Sequence, residues 1–307
     1  MMNILVTGAT GFLGSNLCKE LEVRGHNVVK LGSKNCDLTK ADSLNAFNDT
    51  KYDQIFHLAA WTQAGDFCLH HPGEQWIINQ LINTHVLMWW KEHQPQAKMI
   101  AIGTSCVYDP ELPLSEEYYL KGKPIDSLFT YGMTKKMLYV GLLALHKQFG
   151  LNYLYVIPST LYGAGYHTDG RQMHFIFDLM RKIIQGKEKG DTVTLWGDGH
   201  QKRELVLVND FVRILLELNE NTSNDFFNIG AGEEYPIRRF AETISEIVGY
   251  DHNEIEYDTQ KYVGAKSKCL SVEKIKKALP GYKLTHLDEG LNLTIDWFQN
   301  ELRTSSF

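Results

Sequence analysis

Three glycines near the start of the chain, Gly8, Gly11 and Gly14, constrain the fold more than any other feature. They follow an apolar segment at 4–6 and precede a segment with helical periodicity at 15–24. A buried strand, a tight turn and the start of a helix, in that order, indicate a dinucleotide-binding site. Gly8 permits the turn, Gly11 lets backbone N–H groups approach a pyrophosphate, and Gly14 lets the helix pack on the strand. The alternative is a plain strand–helix turn whose glycines serve packing alone.

The same pattern indicates which residues contact the cofactor. The positive end of the helix dipole and its open N–H groups face the phosphates. The residues expected to line this part of the site are Gly8, Thr10, Gly11, Phe12, Leu13 and Gly14.

The next predicted strand, at 27–31, bears on the choice of cofactor. An acidic residue at its end commonly binds the ribose hydroxyls of NAD, but Ser33 and Lys34 follow here without a carboxylate. A hydroxyl and a cation suit a 2′-phosphate, so we expect NADP(H), with NAD(H) possible; alternatively, Lys34 is a solvated loop charge. Asp37 is expected either near the adenine or as the cap of a helix starting near Lys40.

Composition excludes several classes of function. The 307 residues are 43% hydrophobic and 22% charged, as in an ordinary globular protein, and the net charge of −6 argues against nucleic-acid binding. The five cysteines form no CxxC pair, which indicates reduced thiols in the cytoplasm and no metal site. We expect neither a signal peptide nor a membrane-spanning helix.

Two further predicted strands, at 54–60 and 98–103, end in residues suited to a ligand crevice. The small residues that end the first are expected to leave room for the cofactor, and His57 within that strand is expected to be packed. These crevice residues are Leu58, Ala59 and Ala60. Thr104, Ser105 and Cys106 follow the second strand, and residues just past the carboxyl ends of parallel strands face the ligand.

Tyr131 and Lys135 lie one helical turn apart in a predicted helix at 130–148. This spacing places the phenol and the ammonium group on one helical face. A nearby cation favours the phenolate, so the pair, with the upstream hydroxyls, is suited to carbonyl reduction with Tyr131 as proton donor. The alternative is a surface pair without function.

These elements predict an α/β fold with a doubly wound parallel sheet of the Rossmann type. Residues 1–160 are expected to form the NAD(P)-binding domain, whose sheet also receives segments near 204–230. Residues 161–307 are expected to form a smaller substrate-binding portion. Pro158, which begins a predicted loop at 158–163 after a predicted strand at 151–157, is expected to line the cofactor site.

The motifs TGATGFLG, HLAA, the Thr-Ser pair and Tyr131-Gly-Met-Thr-Lys135 resemble the extended short-chain dehydrogenase/reductases, a superfamily of nucleotide-sugar epimerases, dehydratases and reductases. Within it, IGTSCVYDP, PSTLYG, LWGDGHQKRELVLVNDF and FNIGAGEEYPIRRFAETISEIVGY are similar to the GDP-L-fucose synthases. Those enzymes epimerise and reduce GDP-4-keto-6-deoxymannose, and the similarity covers nearly the whole chain.

The resemblance implies a role for each matching residue. Thr104 stands at the active-site serine, with Ser105 beside it, and Tyr131 and Lys135 match the acid and the ribose-binding lysine. Cys106 and His174 match the two groups that invert C3 and C5 before hydride reduces C4. A thiol and an imidazole suit this proton transfer because both titrate near neutrality. The implied contacts to a GDP-sugar are Thr160, Lys182, Trp196, Arg203 and Lys268.

Departures from that pattern keep several functions open. The family has His and Arg at Ala9 and Thr10, Asn at Thr160 and an arginine at Lys182. These differences fit a related sugar, such as a 3,6-dideoxy or heptose derivative, or a reductase that no longer epimerises. A nucleotide-sugar 4-epimerase and a non-catalytic dinucleotide sensor also remain open. The resemblance also implies a homodimer that pairs the apolar predicted helices at 75–92 and 130–148, a contact this superfamily often forms.

Overall fold

A computed structural model describes residues 1–260 and 266–304, with side chains described as far as residue 302. Strands and helices alternate along most of it. In chain order they are β1 Asn3–Thr7, α1 Phe12–Val23, β2 Asn27–Leu31, β3 Gln54–His57, α2 Phe67–His70, α3 Pro72–His93, β4 Lys98–Ile102, α4 Phe129–Phe149, β5 Tyr153–Pro158, β6 Thr160–Tyr162, α5 Phe175–Lys189, β7 Thr194–Trp196, β8 Lys202–Arg203, β9 Leu205–Leu207, α6 Val208–Asn221, β10 Asp225–Ile229, β11 Tyr235–Pro236, α7 Ile237–Val248, β12 Glu256–Asp258, α8 Glu273–Ala278 and α9 Leu287–Thr304.

The central sheet has six strands in the order β10-β5-β4-β3-β1-β2, and every neighbouring pair is parallel. One face is covered by the packed pair α3 and α4, and the other by α1 and α6. The strand order reverses between β1 and β3, which is where doubly wound sheets open a crevice at the carboxyl ends of their strands. The predicted fold class is confirmed.

Three apolar clusters hold the chain together. Two lie on opposite faces of the sheet, around Trp90 and around Phe211, and both residues are fully buried. The third lies around Phe177, Phe240 and Phe298, on α5, α7 and α9. The helices of this third cluster form the part of the molecule that the sequence assigns to the substrate.

Two local predictions are wrong. Residues 158–163, expected to be a loop, contain β6, which pairs with β9 in a separate two-stranded sheet, so of the 204–230 region only β10 joins the central sheet. Strands of three residues are too short to show alternation in sequence. No helix starts near Lys40, because the Asp37 carboxylate accepts hydrogen bonds from the backbone and hydroxyl of Thr39 and closes a local turn instead.

Within the described ranges, no helix combines the length and apolar character that crossing a membrane requires. All five cysteines are free thiols.

Candidate active site

The glycine turn between β1 and α1 has the geometry that the sequence predicts. Gly8 has a φ of +68°, and a Cβ on Gly14 would lie 2.1 Å from the Gly8 carbonyl oxygen. Gly11 caps α1 without a side-chain hydrogen bond, and the first turn of the helix has no acidic residue. The helix N-terminus is therefore open to an anion, and a pyrophosphate fits the turn.

Several of the other predicted cofactor residues lie next to this turn. The Thr7 hydroxyl accepts a hydrogen bond from the Ala59 backbone at 3.2 Å, and this holds the half-buried segment 58–60 against Gly8. Thr10 reaches the loop after β2, because its side chain would be 2.9 Å from a Cβ on Gly32. Ser33 and Lys34 are exposed on that loop, and Pro158 is half-buried at the end of β5.

Hydrogen bonds made by a side chain of the loop itself determine the shape of the loop after β2. The Asn35 side chain accepts a hydrogen bond from the Gly32 backbone and donates one to the Lys30 carbonyl. Asn35 thereby turns the chain so that Ser33 and Lys34 extend into solvent beside Thr10. This arrangement leaves a hydroxyl and a cation accessible from solvent.

The end of β4 presents the Thr104-Ser105-Cys106 segment at the crevice. Thr104 caps a short 3₁₀ turn at Ser105–Val107, where its hydroxyl accepts the Cys106 N–H at 3.3 Å. Ser105 is buried, whereas Thr104 and Cys106 are half-buried and face the cleft. The cap fixes the direction in which the thiol points.

On α4, Tyr131 and Lys135 face the same cleft. Lys135 is buried, its ammonium group donates to the Ile102 carbonyl at 2.8 Å, and burial lowers its pKa to about 8. Burial, with Cys106 and Cys68 nearby, raises the pKa of Tyr131 well above its usual value. The expectation that the charge of Lys135 favours the Tyr131 phenolate is therefore not met in this structure. Tyr131 stays protonated, as a proton donor must.

The side chains of Cys106 and Lys268 are in direct contact. The Lys268 ammonium lies 3.2 Å from the Cys106 sulfur, although the two residues are 162 positions apart. Burial raises the pKa of the thiol, but the charge of Lys268 and hydrogen bonds from Thr104 and Lys268 outweigh it, so the pKa of Cys106 lies below its usual value. The structure thus holds a thiol with increased thiolate character in the crevice.

His174 immediately precedes α5; the residue is solvent-exposed, but the surrounding protein partly desolvates its imidazole. Its backbone N–H donates to the Tyr166 hydroxyl at 3.1 Å, which fixes the start of the helix. Desolvation, with smaller contributions from Lys268 and His167, lowers the pKa of His174 to about 4. The imidazole is neutral at pH 7 and lies close enough to the Lys268 ammonium to be affected by its charge.

The remaining predicted substrate residues lie on four different elements. Lys182 pairs with Asp178 at 3.1 Å on α5 and reaches the Thr194 carbonyl, so it is not a free cation. Trp196 is 58% exposed at the end of β7. Arg203 in β8 donates to a neighbouring carbonyl, and Thr160 begins β6 in a half-buried position.

His57 is a packed residue, as expected, but its partners are side chains. It is fully buried between the Thr7 hydroxyl at 2.8 Å and the Asn83 side chain at 3.1 Å, and burial lowers its pKa to about 4. This network joins β1, β3 and α3 beneath the cofactor turn. The histidine supports the floor of the site and does not reach the cleft.

Three residues near the site were not singled out from sequence. Cys68 on α2 is buried next to Cys106 and Tyr131, and it accepts a hydrogen bond from Gln75. Glu234 accepts the backbone N–H of Lys268, and Glu204 accepts that of Leu270. Only Glu204, which follows the arginine of the WGDGHQKRE segment, had a sequence signal. Tertiary structure alone brings in Cys68 and Glu234.

Comparisons with known proteins agree with this architecture. Residues 4–230 match the model of the NAD dependent epimerase/dehydratase family. The chain is 28% identical over 317 residues to UDP-glucuronic acid decarboxylase 1 of Xenopus tropicalis, across 97% of this chain and 72% of that protein. It is also 28% identical over 302 residues to GDP-L-fucose synthase 1 of Arabidopsis thaliana, across 96% of this chain and 92% of that protein.

A solved structure adds the three-dimensional likeness. The GDP-L-fucose synthetase of Naegleria fowleri superposes with a TM-score of 0.88 at 24% identity, and the match covers 99% of this chain and 95% of that one. The resemblance seen in the sequence motifs is confirmed, and it extends across nearly the whole chain.

Proposed function

Since the chain belongs to the NAD dependent epimerase/dehydratase family, and is thus an NAD(P)-dependent enzyme, we propose that it acts on a GDP-4-keto-6-deoxy-sugar. The proposed reaction inverts C3 and C5 and then reduces C4. The bound nicotinamide supplies the hydride for that reduction. The exposed Ser33 and Lys34, with no carboxylate at the end of β2, support NADP(H) as the preferred cofactor.

The observation that carries the proposal is the convergence of four side chains in one crevice. A thiol, a phenol, an ammonium group and an imidazole come from segments far apart in the chain, at Cys106, Tyr131, Lys268 and His174. A reductase that only transfers hydride needs the phenol. The thiol and the imidazole add the proton chemistry that inversion of a carbon beside a ketone requires.

Each side chain has a definite task in this reaction. Cys106 removes the proton from the carbon beside the ketone, which is acidic because the enolate places its charge on oxygen. His174 takes up a proton from water and, as the imidazolium, returns it to the opposite face. Tyr131 protonates the C4 oxygen during reduction, and the hydroxyls of Thr104 and Ser105 orient that oxygen.

The outer part of the cleft supports a nucleotide diphosphate. Arg203 carries positive charge there, the charge of Lys182 is shared with Asp178, and the exposed Trp196 offers a flat surface for a base. We propose that residues 161–307 contribute most of this half of the site and residues 1–160 most of the cofactor half. The guanine base is supported by similarity to a GDP-L-fucose synthase.

A single-step GDP-sugar C4 reductase is the second candidate, and one observation favours it. The low pKa of His174, about 4, leaves the imidazole neutral at pH 7, so it carries no imidazolium proton to return to carbon. Reduction at C4 uses Tyr131 and does not need His174. For this second candidate, Cys106 and His174 shape the sugar pocket only.

We also propose a homodimer formed by the outer faces of α3 and α4. Exposed apolar side chains cover this surface, which is defined by Trp76, Ile77, Leu81, Met88, Phe129, Met137 and Val140. An apolar hollow at one end is lined by Trp76, Ile77, Phe129 and Met133. A continuous apolar face of this kind on two packed helices fits a second pair of helices.

The test is a screen of keto-sugar nucleotides in deuterated water with NADPH and, in parallel, NADH. The proposal predicts oxidation of NADPH with GDP-4-keto-6-deoxymannose or a related GDP-sugar, and deuterium at C3 and C5 of the product. Reduction without deuterium would assign the single-step reductase. Failure to oxidise either cofactor with any keto-sugar nucleotide would overturn both candidates.

A further inference from the structure

The segment 267–270 brings a cation to a reactive sulfur. Lys268 lies in this segment after β12, and its ammonium donates to the Cys106 sulfur at 3.2 Å. Cys106 itself lies just past the end of β4, far from Lys268 in sequence. A partly buried ammonium–sulfur contact of this length is a charge-assisted hydrogen bond when the sulfur is a thiolate.

Two carboxylates fix the backbone on either side of the lysine. Glu234 accepts hydrogen bonds from the Lys268 N–H at 2.9 Å and from the Ser267 hydroxyl. Glu204, which is 2% exposed, accepts the Leu270 N–H at 3.0 Å. A buried carboxylate needs such hydrogen-bond partners, so these contacts fix the segment 267–270 in place. The Lys268 ammonium is therefore held at a defined position.

Glu204 also contacts a second segment of the chain. It accepts the Gly232 N–H at 2.8 Å, and a Cβ on Gly230 would lie 2.6 Å from its carboxylate. The turn after β10 therefore packs directly on Glu204, which connects that turn to the segment carrying Lys268. The position of the ammonium follows from this scaffold.

The groups facing Cys106 come from several elements, and among those that the structure describes the only cation is Lys268. The capping Thr104 contributes a hydroxyl, α4 contributes the protonated Tyr131, and α2 contributes the neutral thiol of Cys68. His174, which is close enough to Lys268 to be affected by its charge, is neutral at pH 7. The charge balance around the sulfur thus depends on Lys268.

We propose that Lys268 is a positioning residue whose ammonium group keeps Cys106 in the cleft as a thiolate, ready to accept a proton from carbon. This inference rests on the proposed function for its chemical purpose. In the step, an S–H bond forms as the C–H bond beside the ketone breaks, and the electron pair of the C–H bond moves to the ketone oxygen as an enolate. Lys268 keeps its own protons throughout.

The experiment measures the alkylation of Cys106 by iodoacetamide as a function of pH, without substrate or cofactor. Mass spectrometry of the peptide containing Cys106 gives the rate and its pH midpoint. Lys268→Met should raise the midpoint by about 1 to 3 pH units, because an adjacent opposite charge shifts a pKa by about that amount. Lys268→Arg, which keeps the charge, should stay near the wild-type midpoint.

The controls separate a local effect from misfolding. Lys266→Met removes an exposed lysine two positions away and should leave the midpoint unchanged. The buried Cys68 in each variant reports whether the fold around the cleft is intact, since its alkylation should remain slow. An unchanged midpoint in a folded Lys268→Met protein would overturn the inference.

The readout also separates this inference from the proposed function. If the Lys268→Met midpoint shifts but the wild type epimerises no keto-sugar, the Lys268–Cys106 ion pair is supported and the proposed function is contradicted. If the wild type epimerises the sugar but the Lys268→Met midpoint does not shift, the proposed function is supported and the role of Lys268 is contradicted.

Discussion

The cofactor turn and the reaction cleft are built in opposite ways. The turn comes from one continuous stretch between β1 and α1, and its shape depends on the absence of side chains at Gly8 and Gly14. The cleft is assembled from Cys106, Tyr131 and Lys268, which come from distant parts of the chain. Backbone geometry therefore determines the first region, and long-range packing with charge determines the second.

This difference decides how each region responds to change. A substitution in the turn acts through steric overlap with the backbone and lowers cofactor affinity. A substitution in the cleft removes one chemical group and leaves the binding of the cofactor nearly unchanged. The following variants test that separation.

Tyr131→Phe should give the largest effect, because it removes the proton donor and nothing from the turn. We expect turnover to fall by about 10²- to 10⁴-fold, the usual contribution of a general acid, with NADPH affinity within a few-fold of wild type. Steady-state kinetics and fluorescence titration measure the two quantities. Tyr118→Phe, outside the cleft, is the matched control. A parallel loss of affinity and turnover would break the separation.

Gly14→Ala should act in the opposite sense. Its Cβ would overlap the Gly8 carbonyl, and overpacking of this kind costs about 1 to 3 kcal/mol, or about 5- to 150-fold in NADPH affinity. Gly73→Ala in α3 is the control, since a Cβ there meets nothing within 4 Å. Titration of NADPH against both variants measures the effect. Wild-type affinity in Gly14→Ala would show that the turn does not hold the pyrophosphate.

Lys135 lies between the cofactor turn and the reaction cleft. The pH dependence of NADPH affinity tests whether its ammonium group serves the cofactor. Burial lowers its pKa to about 8, so the ammonium is largely present at pH 7 and mostly lost at pH 9. If the charged form binds the cofactor ribose, NADPH affinity should fall about tenfold over that range, above the titration of the phosphates. Calorimetric titration should find no such fall in Lys135→Met. A flat wild-type profile would contradict this role.

The smallest effect on chemistry is expected at the apolar face of α3 and α4. Ile77→Asp places a charge on that face, where the isoleucine is 60% exposed. Light scattering should show a dimer becoming a monomer, with turnover changed by about twofold or less. Leu293→Asp on α9, at 56% exposure, should leave the mass unchanged. A monomeric wild-type protein would rule out the dimer.

The same difference explains what the sequence could predict. The cofactor turn could be predicted because its glycines are close together in the chain and their spacing reflects a single backbone geometry. The Tyr131–Lys135 spacing was readable because helical periodicity places both residues on one face. The parallel sheet followed from alternating apolar strands and helices, and the structure has a parallel sheet of six strands.

Contacts made only in the folded chain could not be predicted in the same way. The approach of Lys268 to Cys106 depends on Glu204 and Glu234, and no local pattern encodes their hydrogen bonds. The prediction of a helix near Lys40 was wrong because a side-chain turn at Asp37 replaced the first helical hydrogen bonds. Resemblance to a family supplied candidates for the cleft, but only the structure shows which of them touch.

The central claim is that Cys106 inverts the sugar while Tyr131 completes its reduction. It is tested most directly by comparing the wild type with Cys106→Ser in deuterated water, with NADPH and the GDP-keto-sugar that the wild type converts. The account predicts deuterium at C3 and C5 in the wild-type product, and a Cys106→Ser product that is still reduced at C4 but carries no deuterium at those carbons. Deuterium retained in the Cys106→Ser product, or reduction and exchange lost to the same extent, would contradict it.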